Sequence, residues 1–303
     1  MDQFIRSLEE VQKASAANNL EQTEAAVFQM FSIVEAEARK NPSPNAGLLE
    51  ELQALEAQGD WAGVEQCRLK GLARAQESGN QMAVFKAQDD LNQHYRFLNE
   101  FEKAEFCAQA ALEAADKSEM SPLTTRALQA VAFHASRRGD HAAALAAADR
   151  ALALTEPGFM AETQLAGVLV TRARARLAAG DLAGCEADLG QSKPLLLDKE
   201  YSPIFAGIHS NIGWWWEVTA AVRAAKGELA AACEAWSEAM QRRRLVAALP
   251  QVAGPYTLAA LARTLWRAGL ANLAAGEIKA GESLQAEAKR LWVELCLPKE
   301  TLE

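Results

Sequence analysis

The sequence predicts an all-α chain, a right-handed α-solenoid of about seven antiparallel helix hairpins, and three observations carry that expectation. Half of the residues are apolar, alanine is abundant and only nine residues are proline, a composition weighted towards strong helix formers. A turn signal returns at Asn18, Gly59, Asn99, Gly139, Gly180, Gly227 and Gly276, with spacings of 41, 40, 40, 41, 47 and 49 residues. Small side chains then recur at two fixed distances after each turn.

The repeats, taken from the turn onward, read GDWAGVEQCRLKGLARA from Gly59, NEFEKAEFCAQAALEAA from Asn99, GDHAAALAAADRALALT from Gly139, GDLAGCEADLGQSKPLL from Gly180, GELAAACEAWSEAMQRR from Gly227 and GEIKAGESLQAEAKRLW from Gly276. A fainter copy, NNLEQTEAAVFQMFSIV, starts at Asn18. Glycine and asparagine are the residues that best tolerate the left-handed conformation closing a helix, and the Asp or Glu after every glycine favours the start of the next one. Each repeat is therefore expected to be a helix, a tight turn and a second helix.

Two positions after the turn stands a large residue: Leu20, Trp61, Phe101, His141, Leu182, Leu229 or Ile278. Five positions after it the residue is mostly small (Thr23, Val64, Ala104, Ala144, Cys185, Ala232, Gly281), and so it is at twelve (Gly71, Ala111, Ala151, Ser192, Ala239, Ala288), Met30 excepted. Seven residues on a helix make about two turns, so these positions form one stripe that admits a close neighbour. That accounts for GDHAAALAAADRALAL, in which eight of sixteen residues are alanine. A single hairpin buries too little surface to stay folded, whereas stacked hairpins share a continuous core.

The glycine–acid turn with small residues five and twelve positions later resembles the tetratricopeptide repeat over nearly the whole chain, though that family's usual period is about 34 residues and the copies here match its longer-helix relatives. The resemblance implies one domain over 1–303, with a degenerate hairpin at 1–46, six repeats over 47–298 and a tail at 299–303. Short breaks at NPSPNAG (41–47), DKSEMSP (116–122), EPGF (156–159), DKEYSP (198–203) and LPQVAGP (249–255) act as connectors.

The resemblance also implies that the first helix of each hairpin lines a concave groove. Counting back thirteen positions from the turn gives Lys86, Arg126, Trp214 and Arg263; six gives Gln93, Phe133 and Arg174; three gives Arg96. Basic forks beside aromatic anchors suit an extended or helical, acidic segment of another protein. The function implied is a non-catalytic interaction scaffold or adaptor, with a peptide-sensing regulator or a structural subunit as alternatives, and a homo-oligomer left open.

Other classes are disfavoured. The net charge of −9 argues against a protein whose main task is to grip nucleic acid. The N-terminus MDQFIRSLEEVQKAS lacks the apolar run of a secretory signal, and the uncharged runs at 201–216 and 245–262 are interrupted by proline, glycine and polar residues, so a cytoplasmic chain without membrane spans is expected. Five dispersed cysteines read as reduced thiols acting as small apolar groups.

No phosphate loop, dinucleotide fingerprint, zincin or nucleophile-elbow motif is present, so no enzyme and no cofactor are expected. His94 and His134 stand five residues before their turns, but a metal would need further ligands that the repeat does not supply. RRGD at 137–140 reads as a helix end and its turn. Of TRARAR (171–176) only part can face a groove, and the consecutive Trp214, Trp215 and Trp216 span about 200° of helix and cannot share one core stripe. QRRR at 241–244 reads as the basic end of a helix, where positive charge meets the dipole.

Overall fold

A computed structural model describes residues 46–155, 161–198, 206–250 and 252–297; the hairpin expected at 1–46, Ala46 apart, and the tail at 299–303 lie outside them. Among the described residues there are twelve α-helices and no strand. In chain order they are α1 (Ala46–Gln58), α2 (Trp61–Glu77), α3 (Gln81–Phe97), α4 (Phe101–Ser118), α5 (Ser121–Arg137), α6 (His141–Ala153), α7 (Ala161–Ala178), α8 (Leu182–Leu196), α9 (Ala206–Ala225), α10 (Leu229–Ala248), α11 (Pro255–Ala274) and α12 (Ile278–Glu294).

Each hairpin is closed as the turn signal requires. Gly59, Asn99, Gly139, Gly180, Gly227 and Gly276 all take left-handed backbone, with φ between 60° and 85°. The acid that follows opens the next helix in one of two ways. At Asp60, Asp140 and Asp181 a carboxylate oxygen accepts the backbone N–H of Gly63, Ala143 and Gly184 at 2.9–3.0 Å. Glu100, Glu228 and Glu277 stand in the same place without a side-chain cap, because the extra methylene carries the carboxylate past the helix end.

The odd and even helices of a hairpin lie against each other, and each even helix also meets the next odd one, so hairpins stack into a solenoid. The small stripe lies where these helices touch. Val64, Ala104, Ala144, Cys185 and Ala232 are all fully buried, as are Ala151, Ser192, Ala239 and Ala288 seven residues further on. Closeness is greatest between α11 and α12, where a β-carbon on Gly281 would stand 2.9 Å from the carbonyl oxygen of Gly269.

The stack curls until its described ends meet. Trp61 and Val64 of α2 and Phe97 of α3 belong to the same apolar cluster as Trp236 of α10, Leu265 and Trp266 of α11, and Trp292 of α12. The Trp61 indole N–H donates to the Leu295 carbonyl at 3.0 Å. A β-carbon on Gly59 would lie 3.0 Å from Cys296, so the first described turn sits directly on the chain beyond α12.

Polar groups continue this contact. Arg68 of α2 donates to the Tyr256 hydroxyl at 3.0 Å, which leaves that hydroxyl proton free to go to His94 Nδ1, 3.1 Å away. Across the same boundary Arg263 of α11 donates to the carbonyls of Arg96 and Phe97 and to Asn99 Oδ1, at 2.9–3.3 Å. Those carbonyls are the last of α3, where a cation is favoured by the helix dipole.

Ala144→Leu places three extra carbons in a fully packed stripe and is expected to lower the unfolding free energy by about 1–3 kcal/mol. Ala146→Leu, on the exposed side of α6, is expected to change it by less than about 0.5 kcal/mol. Urea unfolding followed by circular dichroism checks the pair.

Candidate functional site

The eight groove positions separate into a floor and a rim. Arg96, Phe133, Arg174, Trp214 and Arg263 are half-buried on α3, α5, α7, α9 and α11, while Lys86, Gln93 and Arg126 are exposed. Five consecutive odd helices thus turn these residues towards one hollow.

On the floor, cations and rings alternate. The Arg96 guanidinium carbon is 4.0 Å from the Phe133 ring centre, and Arg174 is 5.3 Å from the same ring. Arg174 also lies 5.8 Å from the Trp214 ring, and Arg243 lies 5.6 Å from it. Guanidinium planes favour aromatic faces, which attract the cation and spare it full hydration.

The rim residues are committed locally. Arg126 holds Asp89 with two donors at 2.7 and 3.0 Å, and Gln93 donates to the same carboxylate at 3.0 Å. Lys86 turns to Asp90 on its own helix at 2.5–2.7 Å. Arg263 reaches across to the end of α3 as described above and rests over Trp292 at 4.8 Å, a part in joining the ends that the count from the turn does not show.

Further residues that line the hollow lay outside the count from the turn. Arg243, second arginine of QRRR, is buried and donates to Glu217 at 2.7 and 2.9 Å. This corrects the reading of QRRR as a helix end: α10 runs on to Ala248, and Arg243 points inward. It reaches the hollow from an even helix and passes Gly213 of α9, where a β-carbon would make only an ordinary contact of 3.4 Å with its Nε. Glu217 also accepts from the Thr264 hydroxyl at 3.1 Å and faces Arg267 at 3.9 Å.

The charges perturb one another. Burial alone would raise the Glu217 carboxyl, but Arg243, Arg267 and Arg174 overcome it and hold that group below the usual carboxylate range. Burial, with Arg174, Arg263 and Arg243 against Asp89, pulls the Arg96 guanidinium down to about 10. Burial and Arg267 do the same to Arg263, also to about 10. Arg174 is lowered by burial, Glu217 opposing and Arg267 and Arg243 adding to the effect.

The remaining sequence features fall outside the hollow or line its wall. Trp215 is buried in the α7–α9 core with its N–H on the Leu189 carbonyl at 3.1 Å, whereas Trp214 faces the hollow and Trp216 lies between two apolar clusters. Arg172 and Arg176 turn away from Arg174 to Asp188. Gly139 and Asp140 of RRGD are the α5–α6 turn and its cap. His134 bonds Asn92 at 2.8 Å, and no group of three or more metal-ligating side chains exists among the described residues. Among them, too, no helix is long and apolar enough to cross a membrane.

Replacing Glu217 by Leu strands Arg243 in the interior, and a loss of about 3–5 kcal/mol is expected, with most of it recovered when Arg243→Met is added; a denaturant double-mutant cycle measures both. The buried histidines set a pH dependence. Burial pulls His94 and His134 from 6.5 down to about 4, with nearby arginines adding to it and Glu65 opposing at His94. Their contribution is complete above the unfolded value of about 6.5 and is lost as pH falls from there towards 4, because the unfolded chain binds the protons first. The melting temperature is expected to fall between pH 7 and 4.5, with a shallower slope in His134→Gln.

No family model matches the chain, and no curated protein matches it in sequence. Its fold is similar to that of solved structures. RapI in its apo form has a TM-score of 0.57 at 10% identity, over 97% of this chain and 98% of that one. A Rap protein complexed with Competence and Sporulation Factor has a TM-score of 0.53 at 11% identity, over 97% and 99%. BtubC (BKLC) from P. vanneervenii is looser, at 0.48 and 17% identity over 82% and 92%. With its paired helices, left-handed turns and buried small stripe, the chain folds as a tetratricopeptide-like helical-repeat solenoid.

Proposed function

We propose that the chain is a non-catalytic interaction module that takes an acidic segment of a partner protein into its hollow. The observation that carries the reading is the floor formed by Arg96, Phe133, Arg174 and Trp214, a basic and aromatic surface on the inner face of a chain whose net charge is −9. Bidentate forks beside flat rings are the groups that supply most of the energy in small interfaces. A protein of the same fold, the Rap protein above, is known in complex with a factor, which supports a binding role for such a hollow. Binding energy from buried anchors is the whole mechanism, with no bond made or broken.

A sensing version of this role is favoured by one feature, the seam between the ends. Trp61 on Leu295 and Arg263 on the end of α3 hold the curl closed, and a ligand that engages the hollow changes the curvature those contacts depend on. Light scattering with and without bound partner reads this as a change in radius.

The double variant Arg126→Glu and Arg174→Glu reverses charge at one rim and one floor position. It is expected to abolish retention of a partner on immobilised protein, a loss of at least about a hundredfold in affinity, while the far-ultraviolet spectrum is unchanged. Equal capture by variant and wild type contradicts the reading.

A further inference from the structure

Six arginines converge on the hollow: Arg96, Arg126, Arg174, Arg243, Arg263 and Arg267. Two carboxylates answer them. Asp89 is occupied by Arg126, and Glu217 by Arg243 with Arg267 beside it. Arg263 spends its donors on neutral acceptors, two carbonyls and an amide oxygen. Arg96 and Arg174 have neither a hydrogen-bond acceptor nor an ion pair within bonding distance among the described residues; beyond ring contacts each feels one acid at longer range, Asp89 and Glu217 respectively.

Two neighbouring half-buried cations of this kind, partly stripped of water, are stabilised by an anion that pairs with both. A guanidinium offers five N–H donors in a fixed fork, so together they leave about ten donors unspent around one phenylalanine ring. The protein supplies neither the charge nor the oxygens to match. What fits is a compact group with charge near −2 and several acceptor oxygens spread over a tetrahedron, able to take a fork from each side. A single carboxylate brings half that charge in one plane.

Resting on the proposed binding role of the hollow, we propose that its floor is a site for a phosphoryl dianion, gripped by Arg96 and Arg174, which share the Phe133 ring. The group arrives either free, as phosphate or a small phosphorylated molecule, or carried on the partner segment. Arg263 and Arg243 lie close enough to add their field, which is why burial and mutual repulsion depress the arginines of the floor in the unliganded protein.

Calorimetric titration and thermal melting of the full chain with inorganic phosphate, against chloride at equal ionic strength, test the site without any partner. Saturable phosphate binding and a rise in melting temperature are expected, with binding about tenfold weaker or worse in Arg96→Gln and in Arg174→Gln. Arg174→Lys, which keeps the charge but not the fork, is expected to fall between. Both Gln variants are expected to melt no lower than wild type in chloride, since each removes an unpaired cation, and Arg150→Gln on the outer face is expected to leave phosphate binding unchanged. A phosphoserine peptide that binds more tightly than phosphate, and much more tightly than its unphosphorylated form, assigns the carried source; equal binding of peptide and phosphate assigns the free one. Phosphate indistinguishable from chloride in the wild type, or a phosphate response retained when Arg96 and Arg174 are both Gln, overturns the site. Either result leaves partner capture, and its loss in Arg126→Glu with Arg174→Glu, standing as a separate question.

Discussion

The distance between neighbouring helices governs this molecule. Where the second helix of a hairpin lies against its neighbours, the stripe offers Val64, Ala104, Ala144, Cys185, Ala232 or Gly281, and nothing larger than valine. Helices that approach this closely bury backbone as well as side chain, at the density of a protein interior. The bulk displaced from the stripe is found elsewhere, in the tryptophans. Trp236, Trp266 and Trp292 fill the wider gaps between α10, α11 and α12, and Trp61 closes the space against them from the far end of the array.

Curvature is the sum of those close contacts, and the hollow is its product. The ends come together on an apolar cluster fastened by a few polar links, Trp61 to Leu295, Arg68 to Tyr256 to His94, and Arg263 to the carboxyl end of α3. Interactions between repeats distant in sequence are what an open solenoid lacks, since there each repeat meets only its neighbours. Here such contacts make the array stabilise itself across the seam. They also enclose an interior in which arginines lose water without gaining enough acids, and the aromatic rings of Phe133 and Trp214 moderate that deficit without removing it.

What could be read from the sequence was what repeats. The turns, the order of helices and the stripe follow from local chemistry that recurs about every forty residues, and Gly139 with Asp140 shows it: the one supplies positive φ, the other accepts from Ala143 N–H. Counting from the turn also found the floor, because Arg96, Phe133, Arg174 and Trp214 sit at inner positions of successive odd helices. The same count could not show that Lys86 folds onto Asp90, since a side chain has several neighbours within reach and periodicity does not choose among them. Arg243 was missed for a different reason. It belongs to an even helix, and its partner Glu217 lies 26 residues earlier on another helix, a pairing that counting from the turn does not make. The seam was out of reach altogether, because Trp61 and Leu295 are 234 residues apart and each looks like an ordinary repeat residue.

The curl that joins the ends is the claim on which the hollow and its ligands rest, and a distance across the seam tests it most directly. Spin labels at Ala62 and Val293, exposed positions beside Trp61 and Leu295, are measured by pulsed electron resonance on the full chain. A single short and narrow distance distribution is what the closed solenoid predicts. A long or broad distribution, as from an open superhelix whose ends never meet, would contradict it.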